Sequence, residues 1–413
     1  MNQQLRIAII GLNYTPEPTG NAPYTARLAE ALVSAGHTVR VITGYPHYPE
    51  WRINSEYKGW KRHEVINGVE VRRLRHFVPK KPQTLPRMHM ELSFGVRAVL
   101  ANWNNPDVIV VVSPALFSSA LAITRGRLSR RRPAIAAWVQ DIYSRGVVET
   151  QTGSKLAATG MARVESLILR ATDGVVAIHE RFQDYLVTKL GVERARTRVI
   201  RNWTHLPESP TAGLEEMREK LGWSRHDIVV LHAGNMGKKQ GLENVVQAAR
   251  LAQDHRSSVR FVLMGDGNQR KFLESISLDI RNLDFVDPLP GDDFQVALAA
   301  ADILLVNELP GVRDMAVPSK LTSYFNAGVP VIAATDEGSV TAAEITTSGG
   351  GIRVDAAAPE SLLNAAEELG SRPELARALG KSGLQFRQET LSEASAIAQY
   401  DEFIMSLASS RGR

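Results

Sequence analysis

The sequence predicts an α/β protein of two doubly wound domains, each built on a parallel β-sheet. Its 413 residues suit two domains of about 200 residues better than one core. Strand and helix patterns alternate along the chain in two successive runs, and a Pro-rich polar segment, THLPESPTAG, separates the runs. We therefore expect domains at 1–204 and 205–385, followed by a helical tail at 386–413.

The first domain opens with a βαβ unit. LRIAIIGL is a short β-branched run, APYTARLAEALVSAG has helical apolar spacing and ends at Gly36, and TVRVIT is a second strand. A right-handed crossover and a parallel sheet follow from this order. Further strands are expected at VEVRRL, DVIVVV, AIAAWV, GVVAI and TRVIRNW.

The second domain repeats the alternation. Strand DIVVLHAG, helix LENVVQAARLAQ and strand VRFVLMGDG are followed by strand LDFVDPL, helix DDFQVALAAA, strand DILLVN, helix SKLTSYFNAG and strand PVIAAT. In open parallel sheets, ligands bind at the carboxyl ends of the strands. Sites are therefore expected on those edges, which we expect to line a cleft where the two domains face each other.

Composition limits the chemistry. The chain has no cysteine, which excludes disulfides, a thiolate nucleophile and Cys-based metal sites. LRIAIIGL reads as a strand rather than a signal peptide, and the apolar region 108–123 is broken by Ser113-Pro114 and too short for a bilayer. We expect a cytoplasmic protein.

The net charge of +5 hides a strong asymmetry. Residues 1–201 carry 29 Lys and Arg against 15 Asp and Glu, whereas the remainder carries 20 against 29. The basic residues gather in KGWKRHEVINGVEVRRLRHFVPKK and RGRLSRRRP. Such a half suits nucleic acid, a phospholipid surface or a diphosphate-bearing substrate; solvated loops and helix ends are the simpler alternative.

The segment HAGNMGKKQGLE, residues 232–243, has the composition of a phosphate-binding loop. Gly234, Gly237 and Gly241 allow close backbone approach to a ligand, a helix follows, and Lys238 and Lys239 add positive charge. Together they suit a diphosphate, although a connecting loop with solvated lysines would look the same. The chain lacks the G-x-G-x-x-G turn of dinucleotide enzymes and the G-x-x-x-x-G-K-[ST] of P-loops.

Several motifs, in their order and spacing, resemble family-4 glycosyltransferases, which have the GT-B fold of two Rossmann-like domains. They are the opening GLNYTPEPTGNAPYTARLAEALVSAGHTVRVITG, then VIRNW, GNMGKKQGLE, LMGDG and FNAGVPVIAA. GNMGKKQGLE, YPHYPEW and VPSKLTSYFNAG resemble the subgroup of colanic-acid and other exopolysaccharide enzymes.

The sequence departs from the family at the donor site. Asn235 and Gln240 stand where the family loop usually carries arginine and lysine, so the phosphate role shifts to Lys239, with Lys238 beside it. The two family glutamates fall on Met315 and Ser323, which removes the usual ribose ligand. Ser319 and Lys320, just before the helix LTSYFNAG, offer phosphate contacts in its place.

The resemblance implies a role for each candidate residue. Lys239 and Lys320 would stabilise the leaving diphosphate. The donor side would comprise Gly234, Asn235, Gly237, Lys238, Gly265, Gly267, Asp287, Leu289, Ser319 and Ser323. The acceptor or sugar side would comprise Gly20, Asn21, His47 and Asp141. Simpler alternatives are a helix N-cap for Asp141 and a surface histidine for His47.

The implied reaction is transfer of a sugar, with retention, from a nucleotide-diphosphate sugar (UDP in preference to GDP) to an acceptor hydroxyl. The acceptor would be a glycan, a small molecule or a polyprenyl-diphosphate-linked sugar at the inner membrane face, approached through basic loops at 58–81 and 125–132. No cofactor, protein nucleophile or metal is implied, and the chain has no Asp-x-Asp. The tail helix would pack back on the first domain. A GT-B sugar-nucleotide epimerase and a nucleic-acid-binding protein remain as alternatives.

Overall fold

The computed structural model describes residues 4–18, 20–80, 84–144, 155–203, 209–312 and 319–411, with the backbone alone at 84, 155–158, 319 and 411. The chain forms two compact units. The first contains residues 1–202 and 393–413, and the second contains 203–392. Half of the predicted linker THLPESPTAG, residues 204–208, lies outside the described residues.

The first unit is built on an eight-stranded sheet in the order β3-β4-β2-β1-β5-β6-β7-β8. Its strands are β1 Arg6–Ile10, β2 Thr38–Gly44, β3 Lys61–Ile66, β4 Val69–Leu74, β5 Val108–Val112, β6 Ala134–Val139, β7 Gly174–Ala177 and β8 Thr197–Val199. All neighbouring strands are parallel except β3 and β4. The central strands β5 and β6 are buried along their whole length, as expected for a parallel sheet covered on both faces.

Strand β3 corrects one prediction, because this region was expected to be a basic loop. Its sequence, KRHEVI, is mostly exposed and charged, which gives no apolar alternation to detect. The strand forms because it pairs antiparallel with β4 across Asn67 and Gly68, both of which have positive φ. Charges on an edge strand also discourage pairing with other chains.

Helices pack against this sheet, and the last helix of the chain is one of them. The helices of the unit are α1 Ala22–Ser34, α2 Thr84–Leu100, α3 Leu116–Leu128, α4 Lys155–Arg170, α5 Glu180–Thr188 and, at the end of the chain, α14 Glu393–Arg411. Tyr400 of α14 lies on Trp138 of β6 with ring centroids 4.9 Å apart. Asp401 is 2.8 Å from Nε2 of His37.

The second unit has a six-stranded, fully parallel sheet in the order β11-β10-β9-β12-β13-β14. Its strands are β9 Ile228–Ala233, β10 Val259–Met264, β11 Leu283–Val286, β12 Ile303–Asn307, β13 Val331–Ala334 and β14 Gly351–Val354. Strand β14, only four residues long, is not among the strands expected from the sequence. It forms because its backbone pairs with β13 in register.

The helices of this unit are α6 Leu214–Lys220, α7 Glu243–Asp254, α8 Arg270–Ser275, α9 Gly291–Ala300, α10 Ser319–Ala327, α11 Val340–Ser348, α12 Pro359–Ser371 and α13 Pro373–Thr390. Helix α13 runs through the predicted boundary at 385/386, so the unit ends later than expected. Phe386 packs on Phe325 of α10 at 5.9 Å between ring centroids, which keeps that part of α13 in the second unit.

Each sheet has a point where the strand order reverses, and ligands bind at such switch points. In the first unit the point lies between β1 and β5, and in the second between β9 and β12. Within the described ranges, no helix is both long and apolar enough to cross a bilayer.

Candidate functional site

The loop with three glycines and two lysines leaves the carboxyl end of β9, at the switch point of the second unit. Gly234 has a φ of +127°, which favours glycine. One 3₁₀ turn, Lys238–Gln240, follows, and α7 begins at Glu243. The side chains of Lys238 and Lys239 are exposed. The loop therefore presents both lysines to solvent beside a helix N-terminus, where anions are favoured.

Neighbouring strand β12 holds this loop in place through its last residue, Asn307, which is buried. Its Nδ2 donates to the carbonyl oxygens of Gln240 at 2.7 Å and Gly241 at 3.0 Å. Its Oδ1 accepts from Nδ2 of Asn244 at 2.8 Å. One side chain thus ties the lysine turn, the start of α7 and the end of β12 together.

A second glycine loop, after β10, packs directly on the first. A Cβ on Gly265 would overlap with the carbonyl oxygen of Gly234, and one on Gly267 would overlap with that of Met236. Asn235 lies beside Gly267, because its Oδ1 would be 2.7 Å from a Cβ there. The structure thus brings together five predicted donor-side residues: Gly234, Asn235, Gly237, Gly265 and Gly267.

Lys320 reaches the same place from a different element. It is the second residue of α10, which matches the predicted helix SKLTSYFNAG, and it is only partly exposed. Tyr324, one turn later on the same face, accepts a hydrogen bond from the backbone N–H of Ala233 at 2.9 Å. This contact fixes α10 against β9. The Lys320 ammonium therefore stands beside Gly234, 3.8 Å from where a Cβ of that residue would be.

The ammonium is paired with a fully buried histidine. Nζ of Lys320 lies 3.2 Å from Nε2 of His232, and Nδ1 of His232 lies 3.2 Å from the carbonyl oxygen of Leu305. Because an ammonium only donates, Nε2 accepts from it, which puts the ring proton on Nδ1. Burial, and then the nearby Lys320 charge, hold the pKa of His232 well below its usual range. The imidazole is thus neutral.

Burial also acts on the lysine. It lowers the pKa of Lys320 to about 7, and the Glu308 carboxylate opposes this shift. Glu308 follows β12, and its Oε1 accepts from the hydroxyl of Thr341 at 2.7 Å while Oε2 accepts from Thr335. Burial raises the pKa of Glu308. The ammonium form of Lys320 is therefore disfavoured by its burial, and an anion placed beside it would favour that form.

The remaining donor-side residues are more scattered. The Asp287 side chain is largely exposed and is paired with Arg270 at 2.6 Å, and Leu289 packs partly buried against the core. Ser323 is half-buried on α10, whose first residue is Ser319. The Ser319 side chain and Met315 lie outside the described residues.

Three acceptor-side residues lie near the switch point of the first unit, around Ser113. Nδ2 of Asn21 donates to the Ser113 carbonyl oxygen at 2.9 Å. The Ser113 hydroxyl donates to the carbonyl oxygen of Asp141 at 3.1 Å. Gly20, exposed and with a φ of +69°, directly precedes Asn21. Beside Asp141, Oε1 of Gln140 accepts from Nδ2 of Asn202 at 2.8 Å.

His47 is not a surface histidine, because only 2% of the residue is exposed. Its Nδ1 lies 3.0 Å from the Tyr45 carbonyl oxygen, and its backbone N–H donates to Oε1 of buried Glu17 at 2.9 Å. Its ring packs edge-on against His76 at 4.8 Å between centroids. These contacts hold the loop 45–49 together from within.

Among the residues with described positions, no three His, Cys, Asp or Glu side chains are grouped so that they could hold a metal ion. The cations at the β9–β12 switch point are instead side-chain ammonium groups.

Comparison with known proteins identifies the family. Residues 19–203 match the family model described as Glycosyl transferase 4-like domain, and 214–386 match Glycosyl transferases group 1. The chain is 30% identical over 339 residues to "Putative colanic acid biosynthesis glycosyl transferase WcaI" of Escherichia coli K12, covering 78% of this chain and 82% of the relative. The protein belongs to glycosyltransferase family 4. It is a glycosyltransferase, as the motifs indicated.

Solved structures show that this family-4 glycosyltransferase has the GT-B fold. Sucrose-phosphate synthase from Thermosynechococcus elongatus superimposes with a TM-score of 0.73 at 20% identity, covering 98% of this chain and 99% of that one. HepE of Anabaena, in complex with UDP, gives 0.71 at 15% identity, covering 97% and 100%. The predicted fold class is confirmed.

The most informative residues missed from the sequence are His232 and Glu308. His232 was visible as the first letter of HAGN, but its partner Lys320 is 88 residues away. Glu308 directly follows a predicted strand, DILLVN, at a carboxyl end where ligands were expected. That position was the one signal that could have found it.

Proposed function

We propose that this enzyme transfers a sugar from a nucleotide-diphosphate sugar, UDP in preference to GDP, to an acceptor hydroxyl with retention. The acceptor is a glycan, a small molecule or a lipid-linked sugar in exopolysaccharide or other cell-surface glycan synthesis. The observation that carries the proposal is the Lys320 ammonium, aimed beside Gly234 at the switch point and backed by neutral His232. The substrate classes are supported by HepE, which has been solved in complex with UDP and with UDP-glucose, and by WcaI, a putative colanic acid biosynthesis enzyme.

In the proposed reaction the bond between the anomeric carbon and the donor phosphate oxygen breaks, and a bond to the acceptor oxygen forms on the same face. The acceptor proton passes to the leaving diphosphate, so no protein nucleophile takes part. Lys320 and Lys239 stabilise the charge that develops on the diphosphate. Because these ammonium groups supply the positive charge, the proposal includes no metal ion and no cofactor.

The rest of the donor side contributes mainly backbone and small polar groups. The two glycine loops let the chain approach the diphosphate closely, and Lys238 adds charge. The backbone from Asp287 to Leu289 faces the base, and Ser319 and Ser323 take the ribose and phosphate contacts that the family glutamates usually make. Asp287 itself is bound by Arg270, which leaves its main chain for this role.

On the acceptor side, we propose that the backbone of Gly20 and Asn21 contacts the transferred sugar and that Asp141 orients a sugar hydroxyl. His47 acts indirectly, by holding the loop 45–49 from inside. The proposed place of action is the cytoplasmic face of the inner membrane, where the basic first unit is drawn to anionic lipid.

A thermal-shift panel of nucleotide sugars tests the donor proposal, because a ligand that binds only the native state raises the melting temperature. A UDP-sugar should stabilise the wild type, and Lys320→Met should lose most of that shift. Lys271→Met, which removes an exposed lysine of α8, should retain it. A panel without any stabilising nucleotide sugar would overturn the proposal.

The acceptor requirement separates transfer from epimerisation. A transferase releases nucleoside diphosphate only in proportion to the acceptor added, whereas an epimerase converts the sugar nucleotide without one. Chromatography of the nucleotide products, with and without a crude lipid-linked glycan fraction, distinguishes the two outcomes.

A further inference from the structure

Helix α2 carries an apolar stripe on its outward side. Leu85, Leu92, Val96 and Leu100 are exposed by 70%, 37%, 53% and 81%. Their spacing of seven, four and four residues places them on one face of the helix over about four turns. Single exposed apolar residues are ordinary, but a continuous stripe marks an interaction surface.

Two aromatic side chains widen this stripe. Trp60, 68% exposed, lies under the guanidinium of Arg97 of α2, which is 4.5 Å from its ring centroid. Phe77 stacks on His89 of α2 at 4.5 Å between ring centroids. Both aromatics are therefore fixed to the helix. We call the surface formed by Trp60, Phe77, Leu85, Leu92, Val96 and Leu100 the α2 face.

The charge around the α2 face is predominantly positive. The only acid in α2 is Glu91, which is 1% exposed and accepts a hydrogen bond from the Phe117 backbone N–H at 3.0 Å. Among the described residues 56–80, the exposed lysines and arginines are Lys58, Lys61, Arg62, Arg75 and Lys80, and the one exposed acid is Glu56. Arg75 is held at the surface because its backbone N–H donates to the Trp60 carbonyl oxygen at 3.0 Å.

We propose that the α2 face is an interfacial surface that lies on an anionic phospholipid bilayer, with α2 in the plane of the membrane. A helix with one apolar face, an aromatic residue and flanking cations is the pattern of interfacial membrane helices. A second copy of the chain fits less well, because an isologous dimer would bring the same cations together. This inference rests on the proposed function in one respect only, which is that the acceptor is the lipid-linked sugar.

Co-sedimentation of the full chain with vesicles tests this surface. Phosphatidylcholine vesicles with about one third phosphatidylglycerol should bind the wild type, and pure phosphatidylcholine should bind it far more weakly. The double variant Val96→Glu, Leu100→Glu should bind the anionic vesicles at least tenfold more weakly. Lys61→Gln with Arg75→Gln should lose about 30-fold, since each of the two basic residues near the surface adds roughly 1 kcal/mol.

The control is Leu278→Glu, which puts a single glutamate on an apolar residue of the second unit that is 88% exposed. It should bind like the wild type, and all variants should keep the wild-type melting temperature. Equal binding to both vesicle types, or wild-type binding by the Val96, Leu100 variant, would overturn the proposal. If the wild type were a dimer and the Val96→Glu, Leu100→Glu variant were a monomer, the face would be assigned to self-association instead.

Nucleotide-sugar thermal shifts on the same variants keep the two proposals apart. The α2-face variants should retain the donor-induced shift. Vesicle binding without any donor-induced shift would remove the proposed function and leave the membrane surface, whereas a donor shift without vesicle binding would do the reverse.

Discussion

Donor binding should be linked to proton uptake by Lys320. In the ligand-free protein, burial lowers the pKa of this lysine to about 7, so roughly half of the side chains are charged at pH 7. A bound diphosphate favours the ammonium form and raises its pKa. The complex therefore holds more protons than the free protein at neutral and alkaline pH, so affinity must fall as the pH rises above about 7.

The size of the effect follows from the charged fraction. That fraction falls from about one half at pH 7 to about one hundredth at pH 9, so the affinity should fall about 50-fold over this interval. Below pH 6 the affinity should change little. A nucleotide sugar is the suitable ligand, because its diphosphate has no proton that titrates near neutrality.

Isothermal calorimetry measures this linkage directly. Titration with the most stabilising nucleotide sugar, in two buffers of different ionisation enthalpy, should show an uptake of about half a proton at pH 7. Lys320→Met should bind weakly with a flat pH profile, and Lys271→Met should behave like the wild type. The assignment of this linkage to Lys320 would be refuted if the wild-type affinity did not depend on pH. It would also be refuted if the affinity of Lys320→Met fell with pH as steeply as that of the wild type.

Three further outcomes are expected. Lys239→Ala should reduce turnover at least tens-fold, because the lost stabilisation of the leaving group is about 2–4 kcal/mol; near wild-type rates would refute its role. Gly265→Ala should lower the melting temperature and abolish the donor-induced shift, because its Cβ overlaps with the Gly234 carbonyl oxygen. Gly291→Ala, whose Cβ meets nothing within 4 Å, is the control. Excess EDTA should leave turnover unchanged in the dialysed enzyme, and a loss that Mg²⁺ restores would show that a metal takes part.

The sequence was sufficient for the fold because the buried strands carry their own signal. Strands such as VIVVV and AIAAWV are apolar throughout, and they can be recognised without knowing their neighbours. Strand β3 has no such signal, since its conformation depends on pairing with β4. The same holds for β14, which is defined by its register with β13.

The site was predictable in composition but not in its electrostatics. Glycine and lysine spacing marked the β9 loop, whereas the state of Lys320 depends on packing between elements. The sequence offered Lys320 as a phosphate contact but gave no sign of its environment, and the fold half-buries it beside His232. His47 is a second case, because the resemblance placed it on the acceptor side with a surface histidine as the alternative, and the fold buries it.

The position of α14 has a consequence for biosynthesis. The residues that complete the first unit leave the ribosome after the whole second unit, because the 190 residues of the second unit lie between them and Asn202. Until they emerge, Trp138 and His37 lack Tyr400 and Asp401, their partners from α14. The second unit can therefore fold during translation before the first is finished, and premature termination just after residue 392 damages the half of the protein that was made first.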